Sequence, residues 1–337
     1  MRIPSSPPII KAVERGIKRP QWSIMIPAYN CAEYLPLLLQ SVIVQDMGPD
    51  KMQIEVVDDA STDADVRKIV EDIGKGRILY YRQPENVGSL RNFETCLNRS
   101  TGKHIHLLHG DDRLLPDFYE KMTNLFIQLP EAGAAYCNHH YIDSAGNRKY
   151  EIKSYDSDPY ILENWLETLA KQNRPQYVSM VVKRCVYEHL GGFYGVEYGE
   201  DWEMWCRIAK SYPVAYIPKI LAEYRQHDDS ISGSFYKTGK NIKDISKVID
   251  TINTYLPEEK RKNLKQIARQ NYAYYALARK SFIFKKKKNY QLGVKYYMTI
   301  LKMHTDPILV AKTLKLAMDI SLYHFKKMLV GPKNKRK

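Results

Sequence analysis

No Gly-x-Gly-x-x-Gly turn follows the first apolar run, and no Gly-Lys-Ser/Thr loop occurs anywhere in the 337 residues. The common glycine-based phosphate cradles are therefore missing, which argues against a Rossmann dehydrogenase or a P-loop enzyme. Cysteine is scarce: Cys31, Cys96, Cys137, Cys185 and Cys206 are scattered, odd in number and form no Cys-x-x-Cys pair. That pattern argues against a disulfide framework or zinc ribbon and fits a reducing cytosol. Residues 1–20, MRIPSSPPIIKAVERGIKRP, are basic and proline-bearing but lack the long apolar run of a signal peptide or membrane anchor. They read as a poorly ordered basic lead-in. Acids are scarce at the other end. From Lys285 to Lys337, 14 Lys/Arg face only Asp306 and Asp319, so +12 of the net +14 lies there. A near-neutral body with a basic tail points to a polyanionic surface, either nucleic acid or an anionic membrane.

What is present is a regular alternation. SIMIPAYN, IEVVDDAS, RILYYRQPEN, HIHLLHGDD and AGAAYCNHHYI read as strands, separated by helix-like stretches such as AEYLPLLLQSVIVQ, GSLRNFETCLNRS and PDFYEKMTNLFIQL. Strands alternating with helices of this length predict βαβ units and a doubly wound, mainly parallel α/β sheet. With 44% hydrophobic residues the chain can bury a sizeable core, and its length suggests about two domains.

The strands end in polar residues of one kind: Tyr29 and Asn30, Asp58 and Asp59, Asn86, then Asp111 and Asp112. In a parallel sheet these ends lie on one edge and converge on an acidic, amide-rich cleft. Asx residues after strands also serve as turn formers and N-caps. Four in succession, two of them paired carboxylates, favour the cleft. Within HIHLLHGDD, His104 and His106 alternate with apolar residues as strand positions, and the chemistry falls on the Gly-Asp-Asp turn. His139 and His140 are expected on the cleft wall or the surface rather than on zinc.

SIMIPAYNCAEYLPLLLQSVIVQ, IEVVDDASTD, ENVGSLRNF, HLLHGDDRLLPDFYE, GGFYGVEYGEDWEMWCRIA and EYRQHDDSIS, in that order, resemble the inverting glycosyltransferases of family 2, which have the GT-A fold. The resemblance covers residues 21–232 and implies a catalytic domain there, followed by a basic helical region at 233–337. It implies that Pro27, Tyr29, Asn30 and Glu33 line the nucleotide base, and that Asp59 hydrogen-bonds it with Asp58 alongside. Gly88, Arg91 and Asn92 then lie beside the nucleotide and donor sugar, where an arginine fork suits phosphate oxygens. HGDD matches the Asp-x-Asp element with His109 in place of the first Asp. Asp111 becomes the ligand of Mn²⁺ or Mg²⁺, with Asp112 in support. In GEDWEMW, Asp201 matches the base that deprotonates the acceptor, and Glu200 orients acceptor or loop. An acidic pair at a helix start also complements the dipole. Trp202 and Trp205 either stack on an acceptor sugar or pack in the core. His227 is either a further metal or pyrophosphate contact or a plain loop histidine.

Beyond Ser234 the chain turns to Lys- and Tyr-rich helical stretches. The last, DPILVAKTLKLAMDISLYHFKKMLV, starts with Asp306 as N-cap and Pro307 at the first position. Lys312, Lys315, Asp319 and Lys326 share a narrow sector of it, which predicts an interfacial helix on an anionic membrane rather than a span. A helical bundle with solvated lysines is compatible with the same pattern. The leading expectation is a metal-dependent inverting glycosyltransferase, cytoplasmic and peripheral on the inner membrane face. It would move a sugar from a nucleoside diphosphate sugar, UDP-linked by preference, to a glycan or polyprenyl-linked acceptor in cell-surface polysaccharide synthesis. Two competitors are a nucleic-acid-binding protein using the basic C-terminus, disfavoured by the acidic cleft, and a non-catalytic nucleotide-sugar-binding protein.

Overall fold

The computed structural model describes residues 1–150, 157–227, 230–286 and 290–329. Nine strands form one sheet: β1 (Trp22–Ala28), β2 (Met52–Asp58), β3 (Leu79–Arg82), β4 (His104–Leu107), β5 (Arg113–Leu114), β6 (Ala134–Ile142), β7 (Tyr160–Ile161), β8 (Met180–Lys183) and β9 (Val214–Arg225). Its helices are α1 (Leu35–Ile43), α2 (Val66–Gly74), α3 (Ser89–Arg99), α4 (Phe118–Gln128), α5 (Trp165–Lys171), α6 (Arg184–Leu190) and α7 (Glu200–Ser211). Five more follow: α8 (Ile231–Thr238), α9 (Asn241–Asn253), α10 (Glu258–Lys286), α11 (Tyr290–Met303) and α12 (Pro307–Leu329).

The strand order is β3-β2-β1-β4-β8-β6-β9-β5, with β7 on β9. The pairs among β3, β2, β1 and β4 are parallel, as the alternating pattern predicts. Past β4, β6 and β9 also pair in parallel along a long ladder, so the sheet is mainly parallel as expected, with short antiparallel pairings at β8, β5 and β7. β8 runs antiparallel between β4 and β6, and β5 and β7 pair antiparallel with β9. The reason is the long excursion after β6. It returns the chain through a short 3-10 turn into β8 instead of a βαβ crossover. The result is a mixed sheet whose parallel half aims β1, β2 and β4 at one edge.

Burial explains the continuous apolar runs. All seven residues of β1 are buried, because helices cover both faces. His106 belongs to this interior: its ring stacks on Phe118 at 4.8 Å, Nδ1 lies 3.3 Å from the Tyr119 hydroxyl and Nε2 3.2 Å from the Val178 carbonyl. Burial pushes its pKa down to about 3, so it is a neutral core residue. His104 stacks on Phe126 at 4.3 Å.

Two compact units emerge: residues 1–169 with 173–227, and residues 170–172 with 228–337. The expected boundary at 232/233 thus falls at 227/228. The lead-in is also corrected. Residues 1–20 belong to the first unit, and the segment from Pro4 to Lys11 packs along it. Gly195 N–H donates to Pro4 O at 2.9 Å, and Gly192 N–H to Pro8 O at 2.8 Å. Ile10 is buried, and the Arg184 guanidinium donates to Lys11 O at 2.6 Å. Prolines fix an extended backbone here, and its carbonyls and one apolar side chain find partners on the domain, which composition alone did not disclose.

In the second unit, the buried Asn241 amide of α9 donates to the hydroxyls of Tyr272 on α10, at 2.9 Å, and Tyr296 on α11, at 3.2 Å. Asp306 caps α12 by accepting from Leu309 N–H at 2.7 Å. Among the described residues, no helix is long and apolar enough to cross a membrane.

Candidate active site

The ends of β1, β2 and β4 meet where Gly110 leaves no room for a side chain. A Cβ there would stand 2.5 Å from Cys31 Sγ and 3.5 Å from Pro27 O. This close approach brings the Asp111 turn against the loop after β1. In that loop Asn30 adopts a left-handed φ of 48°, its N–H donates to Ser61 Oγ at 3.0 Å and its Oδ1 accepts from Thr62 N–H at 2.8 Å. Tyr29, Asn30 and Glu33 are exposed on the rim, and Pro27 is buried in the strand.

The two carboxylates after β2 divide their work. Asp58 is enclosed: Oδ1 accepts from Ser61 N–H at 2.9 Å, and Oδ2 accepts from Tyr80 OH at 2.7 Å and from the Arg82 guanidinium. It holds β2 to β3 and the following turn, which corrects its expected place beside the nucleotide. Asp59 faces the segment before α3. Its Oδ1 accepts from Val87 N–H at 2.8 Å, and its Oδ2 from Gly88 N–H and the Asn86 amide, both at 3.0 Å. Burial raises its pKa against these N–H donors. Asn92 turns inward, donating to Val57 O at 2.9 Å and accepting from Gln83, so its expected donor contact is corrected to a core bond. Arg91 is paired with Glu94 at 2.6 Å.

At the end of β4, the Asp111 carboxylate meets His227 Nε2 at 3.0 Å. Burial works to raise the Asp111 pKa, but the hydrogen bond with His227 holds it below the usual range. Asp112 behaves oppositely. Burial first, then the Asp111 charge, push it well above that range, and its Oδ1 accepts from Arg225 N–H at 2.9 Å. Within the pair the proton is thus held more readily by the inner member and the charge falls on the outer one. Arg225 also donates to Asp111 O at 2.7 Å and stacks its guanidinium over Tyr34 at 4.7 Å, while Tyr34 packs against His227 at 4.8 Å. Arg225 thus fixes the turn that presents Asp111.

His109 stacks on Tyr177 at 4.2 Å and leans on Phe93 at 5.2 Å. Burial lowers its pKa to about 4, so it is neutral, and its Nε2 is buried with no hydrogen-bond partner. Tyr177 then links the two acidic centres, because its hydroxyl donates to Glu200 Oε1 at 3.1 Å. Burial, and then the Asp201 charge, push Glu200 well above the carboxylate range. Asp201 is raised by burial to about 6, against bonds from the Asn173 amide at 2.8 Å and Trp202 N–H at 2.7 Å. At neutral pH this second pair holds one proton, on Glu200, and leaves Asp201 ionised.

Trp202 and Trp205 are buried at 3% and 2% exposure, so of the two alternatives, acceptor stacking and core packing, they take core packing. Trp202 Nε1 donates to Leu169 O at 2.7 Å, and Trp205 packs edge-on to Tyr177 at 5.5 Å. They hold α7, and with it Asp201, in place. Sequence reasoning missed Tyr177, Asn173 and Arg225. Nothing in the spacing marks the first two, because they come from the irregular stretch before β8. Arg225 stood inside a quoted motif, where only the fold shows it reaching Asp111. Among the described residues, no group of three or more His, Cys, Asp or Glu is arranged to hold a metal.

A sheet edge that gathers carboxylates from β2, β4 and α7 defines a nucleotide-sugar-type α/β domain. The model for Glycosyl transferase family 2 matches residues 23–188, and the chain carries a family 2 glycosyltransferase domain of the GT-A fold. An uncharacterized glycosyltransferase of Mycoplasma pneumoniae is 29% identical over 157 residues, 46% of this chain and 50% of that protein. The glycosyltransferase GlyA of Streptococcus pneumoniae is 29% identical over 224 residues, 62% of this chain and 31% of that one. The chain thus spans half or less of the length of these relatives. In structure it is similar to Staphylococcus aureus TarS in complex with UDP-GlcNAc, with a TM-score of 0.66 at 13% identity over 91% of this chain and 92% of that one. It is also similar to the mannosyltransferase PcManGT of Pyrobaculum calidifontis in complex with GDP-Man and Mn²⁺, with a TM-score of 0.53 at 17% identity over 98% and 91%.

Proposed function

We propose that this domain transfers a sugar, with inversion, from a nucleoside diphosphate sugar to a hydroxyl of a glycan or lipid-linked glycan. The observation that carries the reading is Tyr177, which stacks on His109 of the Asp111 turn and donates to Glu200, so that it joins the Asp111 turn to the Glu200–Asp201 pair. Asp201 is the ionised member, poised near neutrality by burial. It takes the proton from the acceptor hydroxyl as that oxygen attacks the anomeric carbon, and the nucleoside diphosphate leaves from the opposite face. Asn173 holds the carboxylate, and protonated Glu200 keeps a second charge away from it.

The residues at Asp111 fit a hard divalent cation, Mn²⁺ or Mg²⁺. The Asp111 oxygen and His227 nitrogen already face each other, and two protein ligands suit an ion that completes its shell with diphosphate oxygens and water. When bound, the ion supplies charge stabilisation for the departing diphosphate. Asp59 is the base-reading carboxylate. Three N–H donors already occupy it, so one acceptor position on Oδ1 is left for a single imino N–H. Uracil offers one such group; guanine offers an N–H pair and cytosine none at that edge. UDP with Mn²⁺ is therefore expected to raise the melting temperature by several degrees at saturating concentration, and GDP and CDP much less. Equal or no response to all three nucleotides would count against the donor reading.

The basic helical region supports a membrane surface as the working place. On α12, Leu314, Met318, Leu322 and Phe325 are exposed along one stripe, beside exposed Lys312 and Lys315. An apolar stripe bordered by lysines suits the headgroup boundary of an anionic leaflet. Co-sedimentation with phosphatidylglycerol vesicles is expected, falling with salt and falling further on Met318→Ser with Leu322→Ser. Binding to neutral and anionic vesicles alike would remove the electrostatic part of this reading.

A further inference from the structure

Arg2 stands where the donor site should end. Its guanidinium donates to Asn86 Oδ1, the same side chain whose amide donates to Asp59. It also lies over Gly88, where a Cβ would stand 2.9 Å from Arg2 Nε, and the left-handed φ of 90° at that position reinforces the need for glycine. Arg91 donates to Met1 O at 3.0 Å and so holds the backbone beside Arg2. Further along, the bonds from Gly195 and Gly192 to Pro4 O and Pro8 O fix the path of the segment. The turn at Gly191, with φ 79°, packs on it so closely that a Cβ would stand 2.8 Å from both Pro7 Cβ and Pro8 O.

The charges point to a ligand. Arg91 is paired with the Glu94 carboxylate, whereas Arg2 contacts a neutral amide and keeps its charge. That charge already acts on Asp59, drawing its pKa down against the burial that raises it. A guanidinium next to a carboxylate with one spare acceptor position presents a donor beside an acceptor. The imide edge of uracil presents the complement, a carbonyl oxygen beside an N–H.

We infer that Arg2 is a base-reading residue of the donor site, its guanidinium donating to a ring carbonyl while Asp59 accepts the neighbouring imino N–H. The inference rests on the proposed role of Asp59 and adds a residue from outside the family domain. It makes the stretch from Arg2 to Lys11 part of the donor site, tied at its other end to the Gly191–Gly195 turn that leads into α7.

The test is binding of UDP and of uridine to the full chain, by ligand-observed NMR, for wild type, Arg2→Ala and Arg2→Lys. Arg2→Ala is expected to weaken both ligands by ~10-fold or more, as for loss of a charged hydrogen-bond donor. Arg2→Lys should recover part of it, with unchanged melting temperatures for both variants. Unchanged binding in Arg2→Ala overturns the inference, and tighter binding would make Arg2 an obstruction instead. Weakening of UDP alone, with uridine unaffected, would move Arg2 to the phosphates and equally overturn base reading. If wild type binds neither ligand, the donor reading itself fails, which the variants would not be needed to show.

Discussion

Asp201→Asn is expected to lower sugar transfer by about 10²–10⁴-fold, the range for loss of a general base, while raising the melting temperature at pH 8. The two effects have opposite signs for one reason. Burial lifts Asp201 from 3.8 to about 6, so its charged form, the one that accepts the proton, is disfavoured by the fold. The contribution to stability is fully present below pH 3.8, where folded and unfolded chains are both protonated. It is lost as pH rises through about 6. At pH 8 the cost of the charge has an upper bound of roughly 3 kcal/mol, at ~1.4 kcal/mol per pH unit. Asparagine cannot ionise and escapes that cost. It keeps only one oxygen, however, for the Asn173 and Trp202 donors that now reach two, so a gain nearer ~1 kcal/mol, or about 2–4 °C, is expected. The gain should shrink as pH falls from 6 toward 4. Wild-type kcat/KM should fall on the acid side with an apparent pKa near 6. Full transfer by a folded Asp201→Asn variant would sink the assignment of the base.

The parallel half of the sheet was legible because period-two apolar runs and their Asx termini are local signals. The edge strands and β8 were not, since β5 and β7 have two residues each and β8 reverses direction through contacts distant in sequence. The site was legible as a set of carboxylates and not as a division of labour. Asp58 and Asp59, Asp111 and Asp112, and Glu200 and Asp201 are each adjacent in sequence, and only packing decides which faces the cleft. Asp58 is taken by Tyr80 and Arg82, Asp112 by the Arg225 backbone, and Glu200 by Tyr177. The outer members, Asp59, Asp111 and Asp201, are the three that the family motifs single out. Sequence patterning left Trp202 and Trp205 open between two roles, because aromatic spacing on a helix looks the same whether the face meets sugar or core. It misled at residues 1–20, where proline and charge suggested disorder while the backbone carbonyls had partners waiting on the domain.

Asp111→Asn should separate activity from stability more sharply still. The Asp111 charge is held by His227 and, after burial, adds to what raises Asp112 beside it. Asparagine removes a depressed carboxylate, whose contribution to stability is present above pH 3.8 and lost as pH falls. The same change relieves the repulsion that raises Asp112, so the two effects oppose each other near pH 7 and the melting temperature should move little. Catalysis has no such compensation. If Asp111 and His227 hold a divalent cation against the diphosphate, kcat/KM should fall by ~10²-fold or more, as when a preorganised electrostatic contact to a developing charge is removed. His227→Gln should cost less, ~10-fold, because Asp111 keeps the hard oxygen ligand. Wild type treated with EDTA should match the Asp111→Asn rate and recover on addition of Mn²⁺, and the variant should respond to neither treatment. Full transfer by EDTA-treated wild type would leave the Asp111–His227 pair without a cation to hold. In that case the developing charge on the diphosphate would have to be met by side chains alone.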